Sequence, residues 1–266
     1  MGWLGSAFAR TLQRRGVPVV GTVRGDTGNP GVRDTVPGNI PVYRFSLGDA
    51  LPPEIEAAAP GAAVLISVSP FRAALSPDAF ERRLEKVARE LSEAGVSQIV
   101  YTSATSVYPV HIANPREGDA ADLYSPRSGI SLYRAEASVR IGARAVPVVT
   151  LRFGGLFGPG RHPGRFFLKQ PLRFPDDPVN LIHLDDCIRV IDLAMTLNDT
   201  QVINAVAPVH PERGVFYTAA ALDIGEMPPV TVGPSKSATP RIVNTDRLEK
   251  TLGYRFVHPD PLALFL

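Results

Sequence analysis

The chain alternates short apolar runs with longer segments whose apolar residues recur at helical spacing. Six runs rich in β-branched residues predict strands, and several are apolar throughout, as expected for strands covered on both faces. These runs are Val17–Val23, Ile40–Phe45, Ala63–Val68, Gln98–Ser103, Val146–Leu151 and Val202–Val206. The segments with helical patterning are Ser6–Arg15, Pro77–Ala94, Ser131–Arg144, Asp185–Leu197, and two shorter ones near Tyr217–Leu222 and Thr245–Leu252. This alternation predicts an α/β fold built around a parallel sheet.

The regular alternation ends after residue 153. Residues 154–178 are rich in Gly, Pro, Arg and Phe, and the tail from residue 207 is rich in Pro. We therefore predict a nucleotide-binding domain formed by residues 1–153 and 184–206. Residues 154–183 and 207–266 are predicted to form a smaller lobe.

Composition narrows the class of protein. The 266 residues are 44% hydrophobic and 20% charged, which is ordinary for a globular protein. A net charge of +2 gives no reason to expect a nucleic-acid or membrane partner. The single cysteine, Cys187, excludes internal disulfides and fits a cytoplasmic location. No spacing of His, Cys, Asp and Glu suggests a metal site.

A glycine turn opens the first predicted helix. In a dinucleotide-binding G-x-G-x-x-G turn, the second Gly lets the backbone approach pyrophosphate and the third allows close helix–strand packing. Two glycines of this chain have that spacing. The predicted cofactor contacts here are Gly2, Trp3, Leu4 and Gly5.

The first glycine of the turn and the central strand before it have no counterpart in the sequence. We therefore expect the sheet to be interrupted between the strands at 17–23 and 63–68, because unpaired backbone groups would face each other there. Two interpretations are open: the protein begins upstream of residue 1, or the chain is a truncation that folds and binds cofactor poorly. We favour the first.

Arg24 stands at the end of the second predicted strand, nineteen positions after Gly5. An acidic residue in this place binds the ribose 2′-hydroxyl of NAD, whereas Arg accommodates the 2′-phosphate of NADP. The predicted cofactor is therefore NADP, with NAD as the alternative. Asp26 lies two residues beyond the ribose-binding position and could reach the ribose only if the chain curls back. The alternative for Arg24 is an ordinary exposed residue at a strand end.

Five segments resemble a known superfamily or one of its branches. The segment 99–108 resembles the catalytic-serine segment of the extended short-chain dehydrogenase/reductases, the NAD-dependent epimerase/dehydratases. Residues 152–159 resemble their R-x-x-x-x-Y-G-P strand end, with Phe157 in place of Tyr, and 180–186 match their strand-to-helix segment near the substrate. The runs 158–167 and 210–217 resemble the YeeZ-like branch.

The resemblance implies a doubly wound, parallel-sheet Rossmann fold that holds NAD(P), with a small C-terminal substrate lobe. It places Ser67 and Thr102 among the cofactor contacts. It also implies hydride chemistry at a carbon that bears oxygen. A homodimer is compatible with it.

The catalytic residues of the superfamily are only partly matched. The resemblance implies an acid/base Tyr from a Tyr-x-x-x-Lys helix and a Ser or Thr that hydrogen-bonds the substrate. Ala104 occupies the Ser/Thr position, and Ser103 and Thr105 flank it. Tyr133 is the best-placed Tyr, but Ala137 follows four residues later.

The superfamily's lysine is missing altogether, because none of the four lysines lies between residues 87 and 168. A free Tyr is a poor base at neutral pH without a nearby cation, which Arg134 or Arg140 would have to supply. Ser103 and Tyr133 are the catalytic candidates. The alternative for Tyr133 is an ordinary packed aromatic.

Two groups of residues are predicted to bind substrate. Arg161, His162 and Arg165 place two cations and an imidazole in one loop, which suits an anionic group, although a solvated basic loop has the same composition. Asn180 and His183 lie where a strand leads into a helix, a place where ligands bind in open α/β sheets. His183 could equally be a buried structural histidine.

These observations favour an NAD(P)-dependent oxidoreductase or epimerase/dehydratase-like protein for a small polar or anionic substrate, including a nucleotide sugar. The loss of the lysine and of Ser at position 104 favours an alternative. In that alternative the protein is a catalytically degenerate NAD(P)-binding sensor or scaffold.

Overall fold

A computed structural model of the protein describes residues 1–24, 33–36, 39–69, 75–119 and 127–266. Asp26, the alternative candidate for binding the cofactor ribose, lies outside these ranges. In the described residues the helices are α1 (Trp3–Arg14), α2 (Pro53–Ala58), α3 (Pro77–Glu93), α4 (Arg127–Ala143), α5 (Leu184–Ala194), α6 (Arg213–Asp223) and α7 (Asp246–Leu252). No described helix is long and apolar enough to span a bilayer.

The described strands form four sheets. The strands are β1 (Gly21–Val23), β2 (Arg33–Val36), β3 (Ile40–Arg44), β4 (Ala63–Ile66), β5 (Gln98–Ala104), β6 (Val148–Phe153), β7 (Gly155–Phe157), β8 (Leu172–Arg173), β9 (Leu181–His183), β10 (Gln201–Ala205) and β11 (Thr231–Val232). The larger sheets have the orders β1-β3-β2 and β10-β6-β5-β4. Two small parallel sheets pair β7 with β9 and β8 with β11. The predicted mixed α/β architecture with parallel pairing is confirmed.

The sheet is interrupted where the sequence predicted a break. β1 belongs to the three-stranded sheet and β4 to the four-stranded one. β1 is also shorter than the predicted run, because only Gly21–Val23 finds a partner, in parallel register with Val42–Arg44 of β3. The Met1 ammonium donates to the Thr22 carbonyl oxygen beside this strand.

Helix α3 shows how the apolar pattern builds the core. Its buried positions Phe80, Leu84, Val87 and Leu91 recur three or four residues apart and so form one stripe. That stripe packs in one cluster with residues of α4 and of strands β4, β5 and β6. Pro77 follows the cap residue Ser76, whose hydroxyl accepts from the Ala79 amide and thereby fixes where the helix begins.

The chain divides into two compact units. One contains Met1–Ser103, Ser131–Leu151 and Ile191–Val202, and the other contains Ala104–Ile130, Arg152–Val190 and Ile203–Leu266. The second unit has its own apolar cluster, formed by Phe157, Leu172, Val179, Leu181, Phe216 and Tyr217.

The second unit includes a segment that the predicted boundaries assigned to the nucleotide-binding domain. Side chains between residues 104 and 119 explain the difference. Buried Arg152 donates to the hydroxyl of Tyr108 and to the carbonyl of Glu117, both at 3.0 Å. A Glu117 carboxylate oxygen in turn accepts from the Asn204 amide at 3.0 Å, so this segment is bonded to the later strands.

Candidate functional site

The N-terminus of α1 presents backbone rather than side chains. Gly2 caps the helix without a side-chain hydrogen bond, and the first turn has no acidic residue. A Cβ placed on Gly2 or Gly5 would meet nothing within 4 Å. Trp3 is half-buried, while Leu4 is buried and packs inward, so Leu4 can face a ligand only through its backbone. This open, positively polarised helix end is suited to an anion.

Ser67 and Thr102 come together at the carboxyl ends of β4 and β5. These strands run parallel, with Ile66 opposite Tyr101, so the next residue of each strand is a neighbour of the other. The Thr102 hydroxyl donates to the Ser67 hydroxyl at 3.3 Å. Arg24 is exposed directly after β1. The predicted cofactor residues therefore all lie in the first unit, at the start of α1, directly after β1 and β4, or near the end of strand β5.

The Ser103 hydroxyl is engaged by a buried carboxylate. It donates to Oε1 of Glu136 on α4 at 2.5 Å, and both residues are buried. Sequence reasoning missed Glu136, although a Glu among the apolar positions of a helix is an unusual residue to bury. Burial, with a smaller effect of Glu136, raises the pKa of the adjacent Tyr101 well above its usual value.

Tyr133 is 36% exposed on α4, three residues before Glu136. The cations considered as substitutes for the missing lysine are placed differently from it. Arg134 lies 3.9 Å from a carboxylate oxygen of Asp78 and 4.0 Å from one of Glu81, so its charge is directed to α3. Arg140 is exposed in the last turn of α4.

In the second unit, the predicted anion loop is partly structural. His162 Nδ1 accepts from the Gly164 amide at 3.2 Å, and Nε2 lies 3.1 Å from a carboxylate oxygen of Asp223. Its two ring nitrogens are therefore occupied in holding the loop. The Arg161 guanidinium lies over the Phe166 ring at 5.8 Å, and Arg165 is exposed.

The side-chain amide of Asn180 forms hydrogen bonds to the backbone through both its nitrogen and its oxygen. Its Nδ2 donates to the Arg241 carbonyl at 2.7 Å, and its Oδ1 accepts from the Val243 amide at 2.8 Å. Arg241 in turn donates to the Tyr108 carbonyl at 3.2 Å. Asn180 thus fixes the path of the C-terminal segment along β9.

His183 ends β9 and meets two further polar side chains. Its Nδ1 accepts from the Asp185 amide at 3.3 Å and lies 3.4 Å from Asp185 Oδ2. The same Oδ2 lies 3.2 Å from Nε2 of His258. The His183 ring packs edge-on against Phe157 and His258, with centroids 5.2 Å and 4.2 Å away. Burial lowers the pKa of His183, His258 lowers it further, and Asp185 and Asp186 oppose both effects.

Asp186 anchors the segment that carries His258. Its Oδ1 accepts from the Tyr254 hydroxyl at 2.5 Å and from the Val257 amide at 2.7 Å, and its Oδ2 accepts from the His258 amide at 3.1 Å. Asp186 is fully buried. Burial and the neighbouring carboxylate raise the pKa of Tyr254, which keeps its proton for this bond.

The sequence was compared with protein-family profiles and with the sequences of known proteins. No protein-family profile matches the chain. Protein YeeZ of Escherichia coli strain K12 is 29% identical over 268 aligned positions, which cover 99% of this chain and 96% of YeeZ. The chain is a YeeZ homologue. The predicted resemblance to the YeeZ-like branch is confirmed.

Solved structures share the fold at lower identity. WbmG of Bordetella bronchiseptica, in complex with NAD, superposes with a TM-score of 0.74 at 22% identity, covering 99% of this chain and 89% of WbmG. UDP-N-acetylglucosamine 4-epimerase of Bacillus cereus gives 0.71 at 15% identity, covering 99% and 96%. UDP-glucose 4-epimerase of Thermotoga maritima gives 0.71 at 18%, covering 99% and 94%. The YeeZ homologue therefore has the predicted Rossmann-type fold.

Proposed function

We propose that this YeeZ homologue is an NAD(P)-dependent oxidoreductase or epimerase that acts on a small polar or anionic substrate of the nucleotide-sugar class. The observation that carries the proposal is the open start of α1, where a Cβ on Gly2 or Gly5 would point into free space. A pyrophosphate group fits there, because backbone N–H groups and the helix dipole favour a close anion.

The solved relatives support the choice of ligands. WbmG has been crystallised with NAD and UDP, and MoeE5 with UDP-glucose and NAD. We assign dinucleotide binding to Gly2, Gly5 and the strand-end hydroxyls of Ser67 and Thr102. In the second unit we assign the anionic part of the substrate to Arg161 and Arg165, because two guanidinium groups in one loop suit an anion.

NADP is the proposed preferred cofactor, since Arg24 is exposed beyond β1 and a charge-assisted bond from Arg to a 2′-phosphate is strong. The test is titration of Arg24→Ala with NADPH and NADH, beside Arg82→Ala, which removes an exposed arginine of α3 in the same unit. We expect Arg24→Ala to weaken NADPH selectively. Equal loss of both cofactors, or no loss, would remove Arg24 from the site.

In the proposed reaction a bound nicotinamide dinucleotide supplies hydride transfer. The hydroxyl of Tyr133 gives or takes the accompanying proton at the substrate oxygen. Ser103 has a positioning role, because its hydroxyl donates to Glu136 and so fixes α4 against β5.

A second candidate function is a non-catalytic NAD(P)-binding sensor. Ala104 and Ala137 at the family's Ser/Thr and Lys positions favour it. Turnover of UDP-glucose and UDP-N-acetylglucosamine, with absorbance of the reduced cofactor as readout, separates the two. We expect Tyr133→Phe to abolish most turnover and Tyr43→Phe to leave it unchanged. Cofactor binding without turnover of either sugar would favour the sensor.

A further inference from the structure

Three side chains with metal-binding chemistry converge at the junction of β9 and α5. They are His183 and Asp185, which are two positions apart in the sequence, and His258, which lies in the C-terminal segment. One ligand atom from each lies within 4.8 Å of the other two. Neither the family resemblance nor the function proposed above uses this combination.

The distances fit a single small cation. A tetrahedral ion about 2.0–2.1 Å from each ligand atom separates two such atoms by about 3.3 Å. The observed separations from Asp185 Oδ2 are 3.4 Å to His183 Nδ1 and 3.2 Å to His258 Nε2. Two of the three edges thus match those of a coordination tetrahedron, and the third, between the two histidine nitrogens, is within 4.8 Å.

The protonation state of His183 also suits a ligand. Its Nδ1 accepts a hydrogen bond from the Asp185 amide, so this nitrogen carries no proton, and a bound ion would take the place of that one hydrogen bond. Neutral imidazole is the form that binds metal.

The surroundings hold the three ligands in place. Asp186 fixes His258 through its backbone amide, and Phe157 packs edge-on against the His183 ring. Such outer contacts orient ligands and contribute strongly to metal affinity. The Asp185 side chain is 54% exposed, whereas those of His183 and His258 are 10% and 20% exposed, so one side of the cluster is open to solvent.

We propose that His183, Asp185 and His258 form a binding site for one divalent transition-metal ion, such as zinc. Two imidazoles and one carboxylate are a ligand set used for zinc, and three protein ligands leave a coordination position open. The inference is independent of the proposed dinucleotide chemistry.

The experiment titrates untagged, chelator-treated full-length protein with Co²⁺, followed by its visible absorption, and then with Zn²⁺ by displacement. We expect one ion per chain. Asp185→Asn, His183→Ala and His258→Gln should each weaken binding by at least about 10–100-fold, the loss that an outer contact alone can cause. His111→Gln and Asp192→Asn, which lie outside the cluster, should bind as the parent does.

His258→Gln is the decisive variant, because glutamine can still donate a hydrogen bond to Asp185 but is a poor metal ligand. If the cluster is only a hydrogen-bonded group, this variant will bind Co²⁺ like the parent, which overturns the proposal. Absence of saturable binding by folded parent protein also overturns it, as does binding that His111→Gln abolishes. NADPH titration of the same variants keeps the two proposals apart, since the cofactor affinity should stay unchanged in all of them.

Discussion

Ser103 and Glu136 show at the residue scale how a buried polar pair is held. Removing the carboxylate leaves the Ser103 hydroxyl buried without this acceptor, and an unsatisfied buried group costs about 1–3 kcal/mol. We therefore expect Glu136→Ala to lower the free energy of unfolding by that amount in urea denaturation. Glu93→Ala removes a half-exposed partner of Arg144 and should cost about 0–1 kcal/mol. Equal losses for the two variants would contradict the assignment.

His210 gives a prediction for pH. Its Nδ1 lies 2.8 Å from the Val179 carbonyl oxygen, to which it donates. Burial lowers the pKa of His210 below its usual value of 6.5, and the hydrogen bond only partly opposes this. The unfolded chain therefore binds more protons than the folded one below pH 6.5, so stability falls as the pH falls.

The measurement is the free energy of unfolding at a series of pH values from neutral to acidic. We expect His210→Gln to reduce the loss of stability on acidification. Part of the loss will remain, because burial also lowers the pKa of His183. His111→Gln, at an exposed position, serves as the control. A pH dependence identical in His210→Gln and the parent would rule out His210 as a contributor.

Some site residues could be predicted from sequence and others could not. Ser67 directly follows β4 and Thr102 lies near the end of the neighbouring parallel strand β5, so their proximity follows from the alternation of strands and helices. The pairing of Asp185 with His258 joins residues 73 positions apart through an irregular segment, and no periodicity reports such a contact. Glu136 also had no local signal, because its partner lies on a strand rather than on its own helix.

At the scale of elements, the helices with an apolar stripe were predicted closely. α3 was expected over Pro77–Ala94 and spans Pro77–Glu93, and Gly16 after α1 has the positive φ of 75° that favours glycine past a helix end. α2 was missed because none of its residues is buried, so it has no apolar stripe to recognise. The antiparallel strand β2 was missed as well.

Gly142 and Gly5 both lie in helices but differ in the space around them, so replacing each with Ala should affect stability differently. A Cβ on Gly142 of α4 would lie 2.2 Å from the Glu85 carbonyl oxygen of α3. Ala is favoured over Gly in a helix by about 0.8–1.0 kcal/mol, but overpacking typically costs about 1–3 kcal/mol. We therefore expect the clash to prevail and Gly142→Ala to lower the free energy of unfolding.

Gly5→Ala is the control, since a Cβ there meets nothing within 4 Å. In cofactor-free protein it should leave stability unchanged or raise it by less than about 1 kcal/mol. Both variants are compared by urea unfolding. A stabilised Gly142→Ala protein would show that α3 and α4 can separate at no cost.

For the whole molecule, the fold could be predicted from the sequence, but the division of the chain between the two compact units could not. Alternating strands and helices predicted an α/β fold with a parallel sheet, and the family resemblance implied its Rossmann form. The interruption between β1 and β4 agrees with the predicted break in the sheet. The association of residues 104–119 with the second unit did not follow, because it depends on side chains such as Tyr108 and Arg152 that meet only after folding.

If the two units divide the work as proposed, each ligand should protect different backbone amides from hydrogen exchange. A ligand present at 100 times its Kd stabilises the folded state by about 2.7 kcal/mol, enough to slow exchange near its site. We expect NADPH to protect the start of α1 and the carboxyl ends of β1, β4 and β5. UDP-glucose should protect residues 158–165 of the second unit. Mass spectrometry of deuterium uptake measures both, with ATP as the control nucleotide. Protection by NADPH confined to residues 152–190 would contradict the assignment of the dinucleotide to the first unit.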